Sequence, residues 1–205
     1  MTLKIRAARV SDADLAVPML RASMGGLGNY LFEDSKRTPE QYLGKLYRTG
    51  GHRFSWSVSF VGEIENQPAG YLLSYPGRRL APLQMAFFWR FPSLFSWAET
   101  ARLLRRSWRL LNAPEAAGDE YYISNVGVLP EFRSRGFGGE LMAFAEQHAR
   151  RARLTKCALA VDVTNLEAIR LYRRLGYQIV YTMQFTGKLA EQESGYHRMV
   201  KHLAA

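Results

Sequence analysis

Between positions 128 and 139 the chain reads Val-Leu-Pro-Glu-Phe-Arg-Ser-Arg-Gly-Phe-Gly-Gly. Residues 121–129 before it carry strand spacing, and residues 138–153 after it carry helix spacing. A strand that turns through glycines into a helix commits the chain to an α/β arrangement, with helices packed on a sheet. The turn also has chemical consequences. Gly136, Gly138 and Gly139 have no side chains, so backbone N–H groups there can approach a ligand closely. They lie at a helix N-terminus, where unpaired donors and the dipole favour an anion. Arg133 and Arg135 add charge and bidentate phosphate donors. On the loop alone two readings stand level: an anion cradle, or a tight turn with two solvated arginines.

Two other phosphate loops fail on single residues. A P-loop needs Lys and Ser/Thr after its last glycine, and here Glu140 follows. A dinucleotide-binding turn needs a third glycine at 141, where Leu141 stands, although Asp162 nearly supplies its acidic partner.

The rest of the chain alternates in the same way. Residues 3–9 read as a strand, and Ser11-Asp12-Ala13-Asp14 opens a helix. Three glycines make 24–28 a flexible loop within a longer 24–32 segment. Thr38-Pro39-Glu40-Gln41 starts a second helix that stops at Gly50-Gly51. Phe54, Trp56, Val58 and Phe60 alternate with serines as a strand, which pairs with 70–75 as a hairpin. After the insert described next, residues 156–163 form a strand and 165–175 a helix, the helix opened by a capping box from Thr164 to Glu167. Segments 177–185 and 196–203 close as two strands. The length predicts a single domain over 1–205 with a helical insertion at about 77–118.

Residues 77–118 interrupt this rhythm. They hold seven Arg against two Glu, half of the +10 net charge of the whole chain. Leu94, Trp97, Ala101, Leu104, Trp108 and Leu111 recur at helical steps, with Arg102, Arg105, Arg106 and Arg109 off that seam. The positive balance favours an anionic partner. Cys157 is the single cysteine, which excludes an intrachain disulfide and a Cys-based zinc site and suits a reducing compartment. No metal site is expected. Charges break any apolar leader at the start of the chain, and the 13-residue uncharged run at 175–187 is too short to span a bilayer. A cytoplasmic protein is the expectation.

Val128-x-Pro130-x-x-Arg133-x-Arg135-Gly136-x-Gly138 resembles the acyl-CoA pyrophosphate loop of the GNAT superfamily of N-acetyltransferases. Downstream, Asn165-x-x-Ala168-x-x-Leu171-Tyr172-x-x-x-Gly176-Tyr177 is similar to that family's second signature. The resemblance is close over 120–185, loose over 3–76, and does not cover 77–118. It implies a mixed, mostly antiparallel sheet flanked by about four helices, splayed in a V between strands 4 and 5, with the insert as a helical addition.

It also implies roles. The backbone of Arg133, Ser134, Arg135, Gly136, Phe137 and Gly138, with Gly139 beside it, would cradle the pyrophosphate of acetyl-CoA or another acyl-CoA. Val126 and Val128 would hydrogen-bond the pantetheine arm, Gly127 would permit a bulge, and the Val126 N–H would stabilise the oxyanion. Tyr172 is the general-acid candidate, and its alternative is packing against the sheet. Asn165 either bonds the CoA arm or caps its helix. The family's base glutamate falls at Tyr122, so that residue departs from the pattern. Glu120 either acts as a base through water or is a solvated strand start. Leu27, Asn29 and Tyr30 belong to the candidate acceptor loop. The insert would cap the acceptor pocket, its aromatics serving an apolar acceptor or a homodimer contact, with Trp97 and Trp108 packing it onto the domain.

Three function classes follow. The first is transfer of an acetyl group from acetyl-CoA to a small-molecule or peptide primary amine, by direct attack in a ternary complex. The second is a non-catalytic acyl-CoA-binding module. The third is a binder of anionic lipid or nucleic acid through the basic insert, ranked last because no aromatic-basic nucleic-acid motif accompanies it.

Overall fold

The structure is a computed structural model that describes residues 3–32, 37–108, 115–187, 190–191 and 194–204. The chain order is β1 (Lys4–Ala7), α1 (Ala13–Ser23), α2 (Gly25–Phe32), α3 (Pro39–Arg48), β2 (Ser59–Ile64) and β3 (Gln67–Pro76). The insert supplies α4 (Leu80–Leu94) and α5 (Trp97–Trp108). Then come β4 (Tyr121–Val128), α6 (Phe137–Arg151), β5 (Lys156–Asp162), α7 (Leu166–Arg174), β6 (Gln178–Gln184) and β7 (Gly195–His202). The strands form one sheet in the order β1-β2-β3-β4-β5-β7-β6. Every pairing is antiparallel except β4 with β5.

That exception positions the site. β4 pairs with β5 only from Tyr121 to Ile123, yet β4 continues to Val128. The two strands therefore part after Ile123 in the expected V. The bulge that bends β4 sits at Ser124, because Leu73 faces Asn125 while Ser74 faces Ile123. It is not at Gly127. There a Cβ would lie 2.8 Å from Met19 Sδ, so that glycine lets α1 approach the strand.

Two cores cover the two faces. One gathers Leu141, Met142, Ala145, Leu159, Ile169, Tyr177 and Met199 beneath α6 and α7. The other gathers Leu20, Tyr42, Leu46, Tyr71, Leu73, Phe91 and Leu103 beneath α1, α3 and the insert. Among the described residues no helix is long and apolar enough to cross a membrane.

The α3 capping box forms as expected, Gln41 N–H donating to Thr38 Oγ1 at 3.3 Å and Thr38 N–H to Gln41 Oε1 at 3.1 Å. Four local expectations change. Residues 54–58 are not strand: Trp56–Val58 is a single 3-10 turn and β2 starts at Ser59. The serines that mark the period-two pattern bond locally instead, Ser55 Oγ to His52 O at 2.7 Å and Ser59 Oγ to Ser55 O at 2.9 Å. The glycine loop at 24–28 is largely helix, part of α2. Arg21 donates to Gly25 O at 3.1 Å, and a Cβ at Gly28 would lie 3.0 Å from Arg21 Nη1, so the glycine makes room for that arginine. Helix α7 is capped by Asn165, whose Oδ1 accepts from Ala168 N–H at 3.1 Å, while Thr164 turns to Asp162.

The fourth change concerns α5. The apolar seam predicts burial of Trp97 and Leu104, yet Trp97 is 80% exposed and Leu104 40%. The buried residues are Glu99, Thr100, Leu103 and Ser107. Glu99 closes a capping box with Ser96 and accepts from Tyr42 Oη at 2.8 Å. Buried polar residues, Glu99 among them with its carboxylate hydrogen-bonded, made the wrong stripe look like the core. The side chains of Trp108 and 109–114 lie outside the described residues.

Candidate active site

A cavity of about 1500 Å³ runs from the α6 N-terminus through the β4–β5 opening to the insert. Its first end is the glycine-arginine loop. Ser134 and Gly136 both take positive φ, +60° and +85°. Gly136 is the left-handed residue that turns the chain into α6. Arg133 N–H is spent on Pro130 O at 3.2 Å, and Gly139 N–H on Gly136 O at 2.9 Å. The N–H groups of 134–138 have no backbone acceptor among the described residues. The run of open donors is therefore narrower than the sequence suggests, starting at Ser134 and ending at Gly138. The arginines brace it: Arg133 Nε donates to Val128 O at 3.1 Å, and the Arg135 guanidinium lies 5.8 Å from the Phe132 ring. Arg135 is not among the cavity's lining residues, while Arg133 is.

The opening beside β4 supplies further donors. Leu129 N–H donates to Ala69 O at 2.9 Å, toward β3. Amide direction alternates along a strand. The N–H groups of Val128 and Val126 thus face away from β3, into the gap where β5 has parted.

Tyr172 lines the same gap from α7 and is 8% exposed. Burial alone pushes its phenol up to about 12, so it is protonated at neutral pH. Asn165 also lines the cavity, though its Oδ1 is engaged as the α7 cap. Capping, the second of its two readings, is what the geometry displays.

The far end is walled by α1, α2 and the insert. Leu27 lines it, with Leu31, Leu80, Phe87 and Leu103. Asn29 and Tyr30 do not. Asn29 accepts from Arg21, and the buried Tyr30 lies under the Arg106 guanidinium at 5.7 Å. The acceptor loop expected at 24–32 is accordingly a helix that presents one face.

The position of the expected base holds Tyr122, which is 3% exposed. Its hydroxyl donates to Glu115 Oε2 at 2.6 Å, and burial beside that carboxylate keeps its pKa well above the usual phenol. A protonated Tyr122 is no base. Glu120 is not a solvated strand start and does not line the cavity: it is buried, pairs with Arg198, and accepts from Ala117 N–H at 2.7 Å. That removes it from proton transfer at the site.

Two charged lining residues escape sequence reasoning. Arg53 binds both carboxylate oxygens of Glu115 and also donates to Gln84. Burial favours the protonated acid, but Arg53 outweighs it and holds Glu115 below the usual carboxylate range. The two lie 62 positions apart, one before β2 and one at the end of the insert, so no sequence spacing links them. Among the described residues no group of three or more His, Cys, Asp or Glu could hold a metal ion.

Residues 29–177 match the family described as the Acetyltransferase (GNAT) family. A mycothiol acetyltransferase of Streptomyces griseus subsp. griseus is 34% identical over 70 residues, covering 34% of this chain. The match spans only 22% of that relative's own length. An N-acetyltransferase from Staphylococcus aureus Mu50 shares the fold with a TM-score of 0.72 and 21% identity, over 96% of this chain and 99% of that one. A polyamine N-acetyltransferase of Drosophila melanogaster, described as forming N-acetylagmatine, superposes with a TM-score of 0.60 and 19% identity, over 98% and 100%.

Proposed function

The chain belongs to the GNAT acetyltransferase family, and on that premise we propose that it transfers an acetyl group from acetyl-CoA to a primary amine by direct attack, with both substrates in one cavity. The observation that carries this reading is the continuity of the cavity from the 134–138 donors, past Val126 and Tyr172, to the wall built by α2 and the insert. The site fits the coenzyme on two counts. Five consecutive N–H groups without backbone acceptors suit a pyrophosphate, and the free edge of β4 suits an extended amide chain.

Bound acetyl-CoA supplies the activated acetyl group. The N–H groups of 134–138 would hold its pyrophosphate, and those of Val126 and Val128 its arm. The Val126 N–H would receive the negative charge that develops on the carbonyl oxygen as the amine nitrogen bonds the carbon. Tyr172 would give its hydroxyl proton to sulfur as the C–S bond breaks and regain one from solvent, which also takes the protons lost by the amine. A free thiol titrates near about 8.5, so a phenol at about 12 recovers its proton readily. Direct attack is supported by Cys157, which is fully buried with its thiol pushed up to about 12 and so makes a poor covalent carrier.

Initial rates of thiol release, with acetyl-CoA and the amine both varied, test the proposal. Intersecting lines are expected. Parallel lines would refute direct attack, and no release across peptide, lysine, polyamine and arylalkylamine acceptors would refute the transfer.

A further inference from the structure

We infer that Glu115, carried by the insert, is the anion that receives the acceptor's ammonium group, and that the acceptor is a primary amine on an uncharged apolar body. This rests on the amine-acceptor reading above and names the residue and substrate class it leaves open. Three observations support it.

The first is placement. Glu115 lines the cavity and keeps 21% side-chain exposure, whereas its partner Arg53 keeps 11%. Glu115 is thus the more open side chain of the pair. Tyr122 Oη holds it at 2.6 Å against β4, the strand whose far half carries the Val126 N–H.

The second is hydrogen-bond capacity. An ionised carboxylate offers about four acceptor positions. Arg53 takes one on each oxygen and Tyr122 takes a second on Oε2. Among the described residues one position on Oε1 remains for an incoming donor. An ion pair inside an apolar wall is costly to desolvate, and replacing it with apolar side chains is often neutral or stabilising. Stability alone does not call for a charge there.

The third is the surroundings. The part of the wall supplied by Phe54 and the insert is largely apolar, with Leu80, Ala81, Met85 and Leu103, and with Gln84 and Ser107 as its uncharged polar members. The Arg53 charge cancels that of Glu115 beyond contact range, so a second cationic end on the acceptor meets no general attraction. A short-range ammonium contact followed by apolar burial describes an arylalkylamine or alkylamine better than a polyamine.

The test uses phenethylamine as probe, with phenethyl alcohol as its uncharged counterpart and 1,4-diaminobutane as a dication. Binding is measured by calorimetry on the CoA-saturated full chain. Phenethylamine is expected to bind at least tenfold more tightly than either comparator. Glu115→Gln is expected to weaken it tenfold or more, with CoA affinity changed less than twofold. Because Glu115→Gln leaves Arg53 buried without its partner, the double variant Arg53→Met/Glu115→Gln is measured beside it and should lose phenethylamine by a similar factor. Equal phenethylamine affinity in wild type and variants, absence of saturable binding to wild type, or loss of CoA binding in both variants would each overturn the inference. Thiol release reports separately on the transferase reading: a protein that binds the amine through Glu115 yet releases no thiol would refute the transfer and keep the anchor.

Discussion

Replacing Tyr172 with Phe isolates proton donation from everything else the residue does. Among the described residues the Tyr172 hydroxyl has no hydrogen-bond partner, and burial is the sole cause of its raised pKa. Removing the oxygen therefore strands no donor or acceptor elsewhere. The ring keeps its place 6.1 Å from Tyr177. Stability should change by less than about 0.5 kcal/mol, the ordinary range for a substitution that breaks no named interaction. Catalysis should change far more. A positioned general acid contributes roughly 10²–10⁴ in rate, and 10² corresponds to about 2.7 kcal/mol in the barrier. Thiol release at saturating amine and acetyl-CoA should fall about 100-fold or more, with the KM for acetyl-CoA within twofold. No alkaline limb from Tyr172 is expected below about pH 11, one unit under its value of about 12. A Tyr172→Phe enzyme that keeps kcat within threefold would refute the acid role and leave the tyrosine as packing.

Gly136→Ala places a side chain at φ +85°, which should cost about 1–2 kcal/mol and weaken CoA binding, read by thermal melting and calorimetry. Gly77→Ala sets a Cβ 2.0 Å from Ala117 O, where the chain leaves β3 for the insert. The backbone there must give way, so a loss of at least about 1–3 kcal/mol is expected in denaturant unfolding. Glu99 sits near 2 against a usual 4.5, because Ser96, then Tyr42 and Arg37, bond its ionised form. Its contribution to stability is present above pH about 4.5 and is lost as pH falls toward 2, so Glu99→Gln should flatten the acid limb of a melting-temperature profile between those values.

The loop half of the candidate site was legible because its residues are local in sequence. Gly136 and Gly138 mark a tight strand-to-helix turn within twelve consecutive residues, and the second signature at 165–177 is what tips that turn from a plain one toward a pyrophosphate loop. The succession of seven strands along the chain was legible for the same reason, since period-two and 3.6-residue spacing are properties of short windows, whereas the order β5-β7-β6 across the sheet was not read from them. The half walled by the insert was not. Glu115 acquires meaning only when the insert returns to Tyr122 and meets Arg53. The α5 stripe misled because Glu99, Thr100 and Ser107 are buried polar residues, which hydrophobic periodicity does not count as core. The serines at 55, 57 and 59 misled in the opposite sense, alternating like a strand while bonding like a turn.

The three-residue pairing of β4 with β5 makes the sheet two panels on a short hinge. One panel is β1 to β4 and the other is β5, β7 and β6. Where a continuous sheet would have rungs from Ser124 to Val128, the molecule has a crack lined with unused amides. A chain-like ligand laid in that crack would complete the ladder and tie the panels together. Rigidity is then borrowed from the ligand pool: the melting temperature should climb with the logarithm of CoA concentration, and amide exchange at Val126 and Val128 should slow before that of the cores on either face.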